Sequence, residues 1–435
     1  MKKALLISLA LALVPALVFM TGCTSSNSPS SNSPSNAASP SPASLSGSIS
    51  FFTMNASFDA QYKQMITDFN KIYPNVTVNY TSIADSGAYL TQLAADIQTG
   101  DMPDLFNQGP TYAGYNEYAK AGITADLSNM AFVQNMLPST KALLDVNGKI
   151  YGFLEYQYII PMFYNKAIFS QLGLTPPNSW AEFVTLNNTL RAKGYDGVGY
   201  CGGTVDAWWL CKALSLQNMG STAFRDFMNG MDDGSITSID SGSKIYSALQ
   251  SLSQYYKDNI LYPNSETTQL PALLTLFAQK KCAMMMMGTF ELANVDKDLP
   301  GIDIGMFPMP TLNTTKVTYG EPGGIIQMSA SSKNPDAAKA FLDFMANTEH
   351  NAMLINQSKQ IPTMQGITPN YQYGDIIASL ISSGVETLPI FTMSNTDSYN
   401  NSYMAMQHDI LFKGVDVDTA TKAFGDVLKS AAIAG

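Results

Sequence analysis

The chain has 435 residues, and 46% of them are hydrophobic, which is enough apolar material for two or three domain-sized cores. The formal net charge of −10 at pH 7 argues against a nucleic-acid partner, and the presence of only two arginines disfavours a strongly anionic ligand. Aromatic residues make up 11% of the chain and charged residues only 13%, a composition that suits a neutral ligand with hydroxyl groups and apolar faces.

The N-terminus has the pattern of a secretory signal. Two lysines precede an uncharged, mostly apolar run over residues 4–20, which is too short and too poorly flanked to predict a membrane-spanning helix. Cys23 follows Gly22, and this ending resembles a bacterial lipoprotein signal that is cut before the cysteine. We therefore expect residues 1–22 to be removed and Cys23 to carry lipid, which would hold the protein on the outer face of the cytoplasmic membrane. The alternative is an ordinary secreted protein in which this cysteine occurs by chance.

A low-complexity segment follows the cysteine. Residues 24–48 are almost all Ser, Asn, Pro, Ala and Gly, and they carry no charge. Such a composition cannot bury apolar area, so we expect residues 23–48 to form a disordered spacer between the membrane and the folded part of the chain.

Hydrophobic patterning predicts a β-α-β unit directly after the spacer. Residues 49–54 form an apolar strand pattern, and from Ser57 to Pro74 apolar residues recur at helical spacing. Residues 76–80 then alternate as a second strand. A β-α-β unit implies a parallel sheet with helices on its faces, so the predicted fold class is α/β.

Helix boundaries are visible further along the chain. A second helix ends at Gly100, and Ser179 with Glu182 forms a capping box that begins another. Asn334–Pro335 supplies an N-cap and a proline at the first helical position, and a last helix begins at about Thr419. The continued alternation of strands and helices predicts two α/β lobes.

Short motifs follow one another in order through most of the chain after the spacer. They occupy residues 100–106, 147–152, 163–166, 172–180, 277–290, 323–324, 332–335 and 361–363. In this order they resemble motifs of the extracellular solute-binding proteins of ATP-driven sugar importers, the family 1 group that includes the maltose-binding proteins. Lys280 stands where this family usually has Gly, and Phe290 stands where it usually has Trp.

The resemblance implies a two-lobed, periplasmic-binding-protein-like fold, in which a hinge joins the lobes and ligand binds in the cleft between them. The implied first lobe comprises residues 49–157 and 291–348, and the implied second lobe comprises residues 158–290 and 349–435. The chain would cross between the lobes near residues 156–161, 287–292 and 347–351. Closure by hinge bending would then trap the ligand.

Three aromatic residues are candidates for a sugar-binding platform. Trp208 and Trp209 lie side by side in a Gly-rich stretch that we expect to be a loop, so both rings should not pack into one core. Aromatic rings stack on the C–H faces of sugars, so at least one of them should contact ligand. The resemblance adds Phe290, whose family equivalent often stacks on sugar. For each ring the alternative is ordinary packing in the core.

Polar candidates follow the carboxyl ends of predicted strands, where ligands bind in open α/β sheets. Asn55 follows the first strand, although it could instead cap the next helix. Gln108 and Tyr112 follow the third predicted strand, and Glu155 and Tyr156 lie near the first crossing.

Glycine, aspartate and cysteine positions complete the set of candidates. Gly323–Gly324 would let the backbone come close to ligand or to the other lobe, with an ordinary turn as the alternative. Asp104 is expected to be structural, because a carboxylate in a Pro-Asp turn can satisfy turn amides. Cys201 and Cys211 could form a disulfide, or all three cysteines after the lipid-bearing one could stay unpaired.

Motifs for metal, cofactor or covalent chemistry are not evident in the sequence. His350 and His408 are the only histidines and lack metal-ligand spacing, and no Gly-rich phosphate loop or nucleophile elbow appears. We therefore expect no metal and no cofactor.

Two classes of function remain open. The first is a monomeric carrier that binds a neutral carbohydrate ligand and passes it to the membrane permease of an ATP-driven importer, with a non-sugar solute on the same fold as a variant. The second is a secreted glycoside hydrolase, which would need two opposed carboxylates about 5–10 Å apart.

Overall fold

The computed structural model describes residues 45–108, 114–312, 318–390 and 396–432. The predicted signal, Cys23 and the spacer up to residue 44 lie outside the described residues, and so does Tyr112. The predicted end of the disordered spacer at residue 48 is wrong, because Leu45 is buried in a hydrophobic core and the first strand begins at Gly47. Within the described ranges, no helix has the length and apolar character needed to cross a membrane.

Thirteen strands are present in the described residues. They are β1 (Gly47–Thr53), β2 (Val76–Ser82), β3 (Leu105–Gln108), β4 (Asp145–Val146), β5 (Lys149–Ile150), β6 (Gly152–Leu154), β7 (Gln157–Ile159), β8 (Met162–Asn165), β9 (Met284–Met286), β10 (Ile304–Phe307), β11 (Thr318–Pro322), β12 (Ile325–Met328) and β13 (Val385–Thr387).

Helices alternate with these strands. They are α1 (Asp59–Ile72), α2 (Ser86–Thr99), α3 (Tyr115–Lys120), α4 (Ala131–Asn135), α5 (Pro138–Leu144), α6 (Lys166–Leu172), α7 (Trp180–Ala192), α8 (Gly202–Val205), α9 (Trp208–Met219), α10 (Ser221–Asp232), α11 (Lys244–Lys257), α12 (Leu270–Ala278), α13 (Val295–Asp298), α14 (Pro335–Ala346), α15 (Thr348–Ser358), α16 (Gly374–Ser382), α17 (Thr396–Phe412) and α18 (Val417–Ala432). Short 3₁₀ turns cover Ala56–Phe58 and Thr289–Ala293.

A five-stranded sheet organises the first lobe, with the strand order β2-β1-β3-β12-β6. β1 is parallel to β2 and β3, which confirms the predicted β-α-β unit, whereas β12 is antiparallel to β3 and β6. Tyr62, Met65 and Phe69 of α1 are buried against one face of this sheet. Tyr89 of α2 stacks on Phe52 at the other face, with ring centroids 4.4 Å apart. Helices therefore cover both faces, as a largely parallel sheet requires.

The second lobe has a smaller sheet inside a helical shell. β8 lies between β10 and β9 and is antiparallel to both. The methionines of β9 and the following Met287 are buried in the core of this lobe. α11 packs between α9 and α17, so helices supply most of this core.

The third sheet, with the strand order β13-β11-β7, lies where the chain passes between the lobes. β7 and β11 are antiparallel, and the pairing continues beyond them into the first lobe. Gly323 donates its N–H to the carbonyl oxygen of Tyr156 at 2.8 Å, and Glu155 donates its N–H to the carbonyl oxygen of Gly324 at 2.9 Å. β6–β7 and β11–β12 thus form one continuous two-stranded crossing.

The two hydrophobic cores place the other crossings differently from the sequence prediction. Tyr156 belongs to the first core and Ile159 to the second, so the first crossing lies where it was expected. The chain returns to the first core between Tyr319 and Ile325, rather than near residues 287–292. β10 pairs with β8, and this pairing keeps the segment after residue 291 in the second lobe.

The third predicted crossing also differs from the structure. Leu354 and Ile355 of α15 are buried in the first core, so the chain does not leave that lobe at residues 347–351. Met364 still belongs to the first core, whereas Tyr373 belongs to the second. Short motifs indicate the order of segments but not which core a segment packs against, which is why these two boundaries were misplaced.

Most predicted helix ends are found in the structure. Ser179 accepts the N–H of Glu182 at 3.2 Å at the start of α7, and Gly100 ends α2 with the left-handed φ of 75° that glycine permits. α14 begins at Pro335 as predicted. The side chain of Asn334, however, donates to the carbonyl oxygen of Ser48 at 2.9 Å and makes no capping bond.

The three described cysteines are buried free thiols. The disulfide considered between Cys201 and Cys211 is therefore not formed, and the sulfur of Cys211 lies 3.9 Å from the hydroxyl oxygen of Ser215 instead. Burial raises the pKa of both thiols to about 12, which makes them unreactive at neutral pH.

Asp104 has the structural role predicted from its turn. Its carboxylate accepts the backbone N–H and the hydroxyl of Ser50 at 2.8 and 3.0 Å, and it also accepts the hydroxyl of Ser332. One side chain thus ties β1 to the loop that precedes α14, at the edge of the sheet opposite the candidate site.

Candidate functional site

The carboxyl ends of three parallel strands meet at one edge of the five-stranded sheet. β1 leads to Asn55, β3 ends in Asn107 and Gln108, and β6 leads to Glu155. β12 begins at the same edge, just after Gly324, because it runs antiparallel to β3 and β6. The tertiary structure therefore brings together the predicted residues Asn55, Gln108, Glu155 and Gly324.

Glu155 is the centre of a buried polar network at this edge. Its side chain is 1% exposed, and the hydroxyl of Tyr62 donates to Oε1 at 2.7 Å. Asn107 and Asn55 direct their amide groups at Oε2, at 3.0 and 3.4 Å. The amide of Asn351 donates to the backbone carbonyl oxygen of Glu155 at 2.9 Å. Side chains from three other chain segments thus fix one carboxyl group, and a fourth segment holds the backbone beside it.

Asn55 does not take the alternative role of a helix cap. It precedes the 3₁₀ turn Ala56–Phe58 but makes no side-chain bond to that turn. Its side chain is half-buried and is directed at Glu155, which leaves it at the boundary between the buried network and the open side of the sheet edge.

Burial raises the pKa of Glu155 to about 8, although the hydrogen bonds from Tyr62, Asn55 and Asn107 oppose this rise. Glu155 is therefore largely protonated in the folded protein at neutral pH. Oδ1 of Asn107 is buried and has no hydrogen-bond partner among the described residues. A 180° rotation of this amide would direct Oδ1 at Glu155, where it could accept the carboxyl proton.

Gly323 and Gly324 occupy positions that a side chain could not share. A Cβ on Gly324 would lie 2.5 Å from Glu155 Oε2 and 2.5 Å from the amide nitrogens of both asparagines in the network. A Cβ on Gly323 would lie 2.3 Å from the ring of Tyr156. The predicted close approach is therefore real, and what approaches is the polar network and a tyrosine ring.

The remaining residues of this edge are more deeply buried than a direct ligand contact requires. Gln108 is buried at the end of β3 beside Tyr118. Tyr156 packs edge-on against Phe58, with ring centroids 5.0 Å apart. We expect both residues to pack beneath the ligand-contacting groups and not to contact ligand themselves.

The aromatic candidates lie on the second-lobe side of the crossing. Trp208 and Trp209 form the first turn of α9, so the expectation that they lie in a loop is wrong. Trp209 is buried in the second core, and Trp208 and Phe290 are half-buried. Phe290 meets Trp209 with ring centroids 5.6 Å apart and meets Tyr158 edge-on at 5.3 Å. One tryptophan thus packs in the core while the other two predicted rings remain partly accessible.

A buried ion pair that the sequence patterns did not predict lies beside these rings. Lys212 of α9 bonds to Oε1 of Glu321 in β11, and the hydroxyl of Tyr158 donates to Oε2. Burial lowers the pKa of Lys212, and the negative charge of Glu321 opposes that shift. A single lysine within the otherwise uncharged helix Trp208–Met219 is the signal that could have revealed it.

A cavity of about 390 Å³ lies on the other face of the hinge sheet. Gln157 and Thr387 line it, whereas Tyr158, the next residue after Gln157, points to the aromatic side because strand residues alternate. Side chains from both lobes complete the lining, among them Asn116, Ser139, Ser221 and Thr222. None of the predicted site residues that the structure describes lines this cavity.

Comparison with known proteins places these features in a wider group. The family model for bacterial extracellular solute-binding proteins matches residues 55–352. The chain is 26% identical to the multiple sugar-binding protein of Streptococcus mutans over 301 residues, which cover 68% of this chain and 70% of that protein. It is 22% identical to the melibiose/raffinose/stachyose-binding protein of Bacillus subtilis over 314 residues, or 69% and 70% of the two chains.

Solved structures share the fold. The apo form of RafE from Streptococcus pneumoniae superposes with a TM-score of 0.72 at 20% identity, covering 88% of this chain and 98% of that one. A chitin oligosaccharide binding protein superposes with a TM-score of 0.73 at 20% identity, covering 90% of this chain and all of that one (100%). The chain therefore has the two-lobed fold that its sequence motifs predict.

The raised pKa of Glu155 predicts a pH-dependent stability. Below about pH 4.3 the group is protonated in both states, but between that pH and about 8 the unfolded chain ionises while the folded protein does not. Wild type should therefore lose up to ~1.4 kcal/mol of unfolding free energy per pH unit relative to E155Q across this window, and no more above it. Urea unfolding from pH 4.5 to 9 measures the difference.

The exposed Asp101, just after α2, provides a control, because D101N removes one surface carboxylate that takes no part in the Glu155 network. A difference between wild type and E155Q that stays constant from pH 4.5 to 8 would show that Glu155 is ionised in the folded state.

Proposed function

The chain belongs to the bacterial extracellular solute-binding proteins, and from this premise we propose that it captures a neutral sugar or oligosaccharide for an ATP-driven membrane importer. Its relatives carry names such as multiple sugar-binding protein and maltooligosaccharide ABC transporter solute-binding lipoprotein. The importer's permease subunits would be its partners in the membrane.

The observation that carries this proposal is the pairing of two surfaces across the hinge. The first-lobe edge offers the half-buried amide of Asn55, which the buried carboxyl group of Glu155 holds from behind, and the second-lobe side offers the rings of Trp208 and Phe290. Sugar hydroxyls need fixed polar partners, and sugar C–H faces pack on aromatic rings. The crossing β6–β7 with β11–β12 joins the two surfaces and supplies the hinge about which they would close.

The charges around the site support a neutral ligand. Arg191 donates to the backbone carbonyl oxygens of Asn259 and Leu261, and Arg225 pairs with Asp226. Neither arginine bonds to the sheet edge or contacts Phe290, although Arg225 lines the cavity on the other face of the hinge sheet. The cation nearest to the aromatic rings, Lys212, is already paired with Glu321. A phosphate or carboxylate ligand would therefore find no free cation among these residues.

We also propose where the protein is located in the cell. A lipid on Cys23 and an uncharged spacer would hold a monomeric binding domain near the permease on the outer face of the membrane. Two relatives from Streptococcus pneumoniae are named as solute-binding lipoproteins, which supports this arrangement.

A thermal-shift panel tests the proposed binding. The protein would be heated with raffinose, stachyose, maltotriose and chitotriose, because ligand that binds only the folded state raises the melting temperature by mass action. At least one sugar should raise it in a dose-dependent way, and chromatography should recover that sugar unchanged. Cleavage products would favour the glycoside hydrolase alternative, and the absence of any shift would count against sugar binding.

Alanine variants of Trp208, Trp209 and Phe290 test the aromatic platform. An aromatic anchor in a desolvated pocket is typically worth ~2 kcal/mol, or roughly thirtyfold in affinity. At least one variant should show this loss by calorimetric titration with the sugar that binds best, while its circular dichroism stays unchanged. W180F is the control. The indole N–H of Trp180 donates to the carboxylate of Asp258 at 2.8 Å, within the second lobe and away from the proposed site. Wild-type affinity in all three alanine variants would place the platform elsewhere.

Replacement of the predicted lipidation residue tests the anchor. C23S should leave the signal uncut or release the protein from the membrane, because serine offers no thiol for the lipid. Cell fractionation and mass spectrometry of the mature N-terminus measure both outcomes. A C23S protein that is cleaved normally and stays with the membrane fraction would show that another feature holds it there.

A further inference from the structure

The ion pair of Lys212 and Glu321 lies directly behind the aromatic rings of the proposed site. Their side chains are only 2% and 4% exposed, although one comes from a helix of the second lobe and the other from the hinge sheet. Buried charge pairs are a poor means of stabilising a fold, because the loss of hydration often exceeds the attraction gained, and an apolar pair of similar size could fill the same space. This pair therefore calls for a role other than packing.

Each partner of the pair holds one aromatic residue. The ammonium group of Lys212 lies 4.9 Å from the ring centroid of Trp208, which is the geometry of a cation–π contact. The hydroxyl of Tyr158 donates to the carboxylate of Glu321, and hydrogen bonds to a charged acceptor are stronger and more directional than neutral ones.

One of these two rings, that of Tyr158, contacts the rest of the aromatic group. Tyr158 meets Phe290 at an interplanar angle of 85°, and Phe290 meets Trp209 at 63°. Trp209 directly follows Trp208 in the first turn of α9, so both ends of this series of contacts lie on one helix. The contacts therefore run in one line from Trp208 through Lys212, Glu321, Tyr158 and Phe290 to Trp209.

We propose that the Lys212–Glu321 pair is a positioning unit, which holds Trp208 and Tyr158 in the orientation that receives a sugar ring. The pair does not touch the ligand; it acts through the rings in front of it. This inference rests on the proposed function, because it assigns the group that sets how well the same site binds sugar. It also explains why α9 has a buried charge at a position where an apolar residue would avoid the desolvation free energy of that charge.

A set of charge variants separates positioning from stability. K212M and E321Q each leave one buried charge without its partner and should lower the melting temperature. The double variant K212M/E321Q leaves neither charge, so its melting temperature should recover toward wild type. Its affinity for raffinose should nevertheless stay about tenfold weaker, since no cation covers Trp208 and a neutral amide holds Tyr158 less firmly. If raffinose fails in the panel, the sugar that gives the largest thermal shift replaces it.

A second variant, which keeps the ion pair, and a spectroscopic measurement on the ligand-free protein extend the test. Y158F keeps the ion pair and removes one hydroxyl, and it should weaken raffinose binding by roughly threefold. Acrylamide quenching of ligand-free protein in a W180F background reports how firmly the remaining indoles are held, and it should rise in the double variant. The exposed pair Lys149–Asp126, at 2.9 Å in the first lobe, gives the control K149M/D126N, which should match wild type in both measurements.

Two results would overturn the inference. One is a double variant that binds the sugar as wild type does, and the other is unchanged acrylamide quenching in the ligand-free protein. Failure of every sugar in the panel to bind wild type would instead refute the proposed function, and the quenching comparison would still decide whether the pair positions the rings.

Discussion

The continuous pairing of β6–β7 with β11–β12 is the constraint on which the rest of this structure depends. It fixes where the chain passes between the lobes, and it carries the groups that support both halves of the proposed site. Glu155 and Gly324 face each other at the first-lobe end, and Tyr158 and Glu321 face each other three residues away on each strand. Because side chains alternate along a strand, a shift of one residue would move every one of these groups to the wrong face.

The two buried glutamates show how surroundings decide what a carboxyl group does. Glu155 is surrounded by dipoles only, namely one hydroxyl and two amides, so burial dominates and the protonated form prevails at neutral pH. Glu321 has a buried lysine beside it, and the pair can remain charged because each partner compensates the other. The first-lobe side of the site is thus neutral and rich in hydrogen-bonding groups, while the charge on the second-lobe side is cancelled locally.

These arrangements account for the composition of the chain. Few charges and many aromatic residues are what two apolar cores and a neutral binding surface require, and the few charges that are buried occur in networks. The relatives named for sugars differ among themselves in the sugar that their names state, although they share the fold. A common hinge with variable groups around it is consistent with that diversity.

Local signals in the sequence were enough to predict the β-α-β unit, the start of α7 at Ser179, the structural role of Asp104 and the sheet edge that gathers Asn55 and Glu155. Each depends on residues close in sequence or on the rule that parallel strands end together. The second and third crossings, the helical position of Trp208 and the Lys212–Glu321 pair were decided only by the tertiary structure. The two charges lie 109 residues apart in the chain, and no periodicity or motif records which core a segment joins or which charge it will meet there.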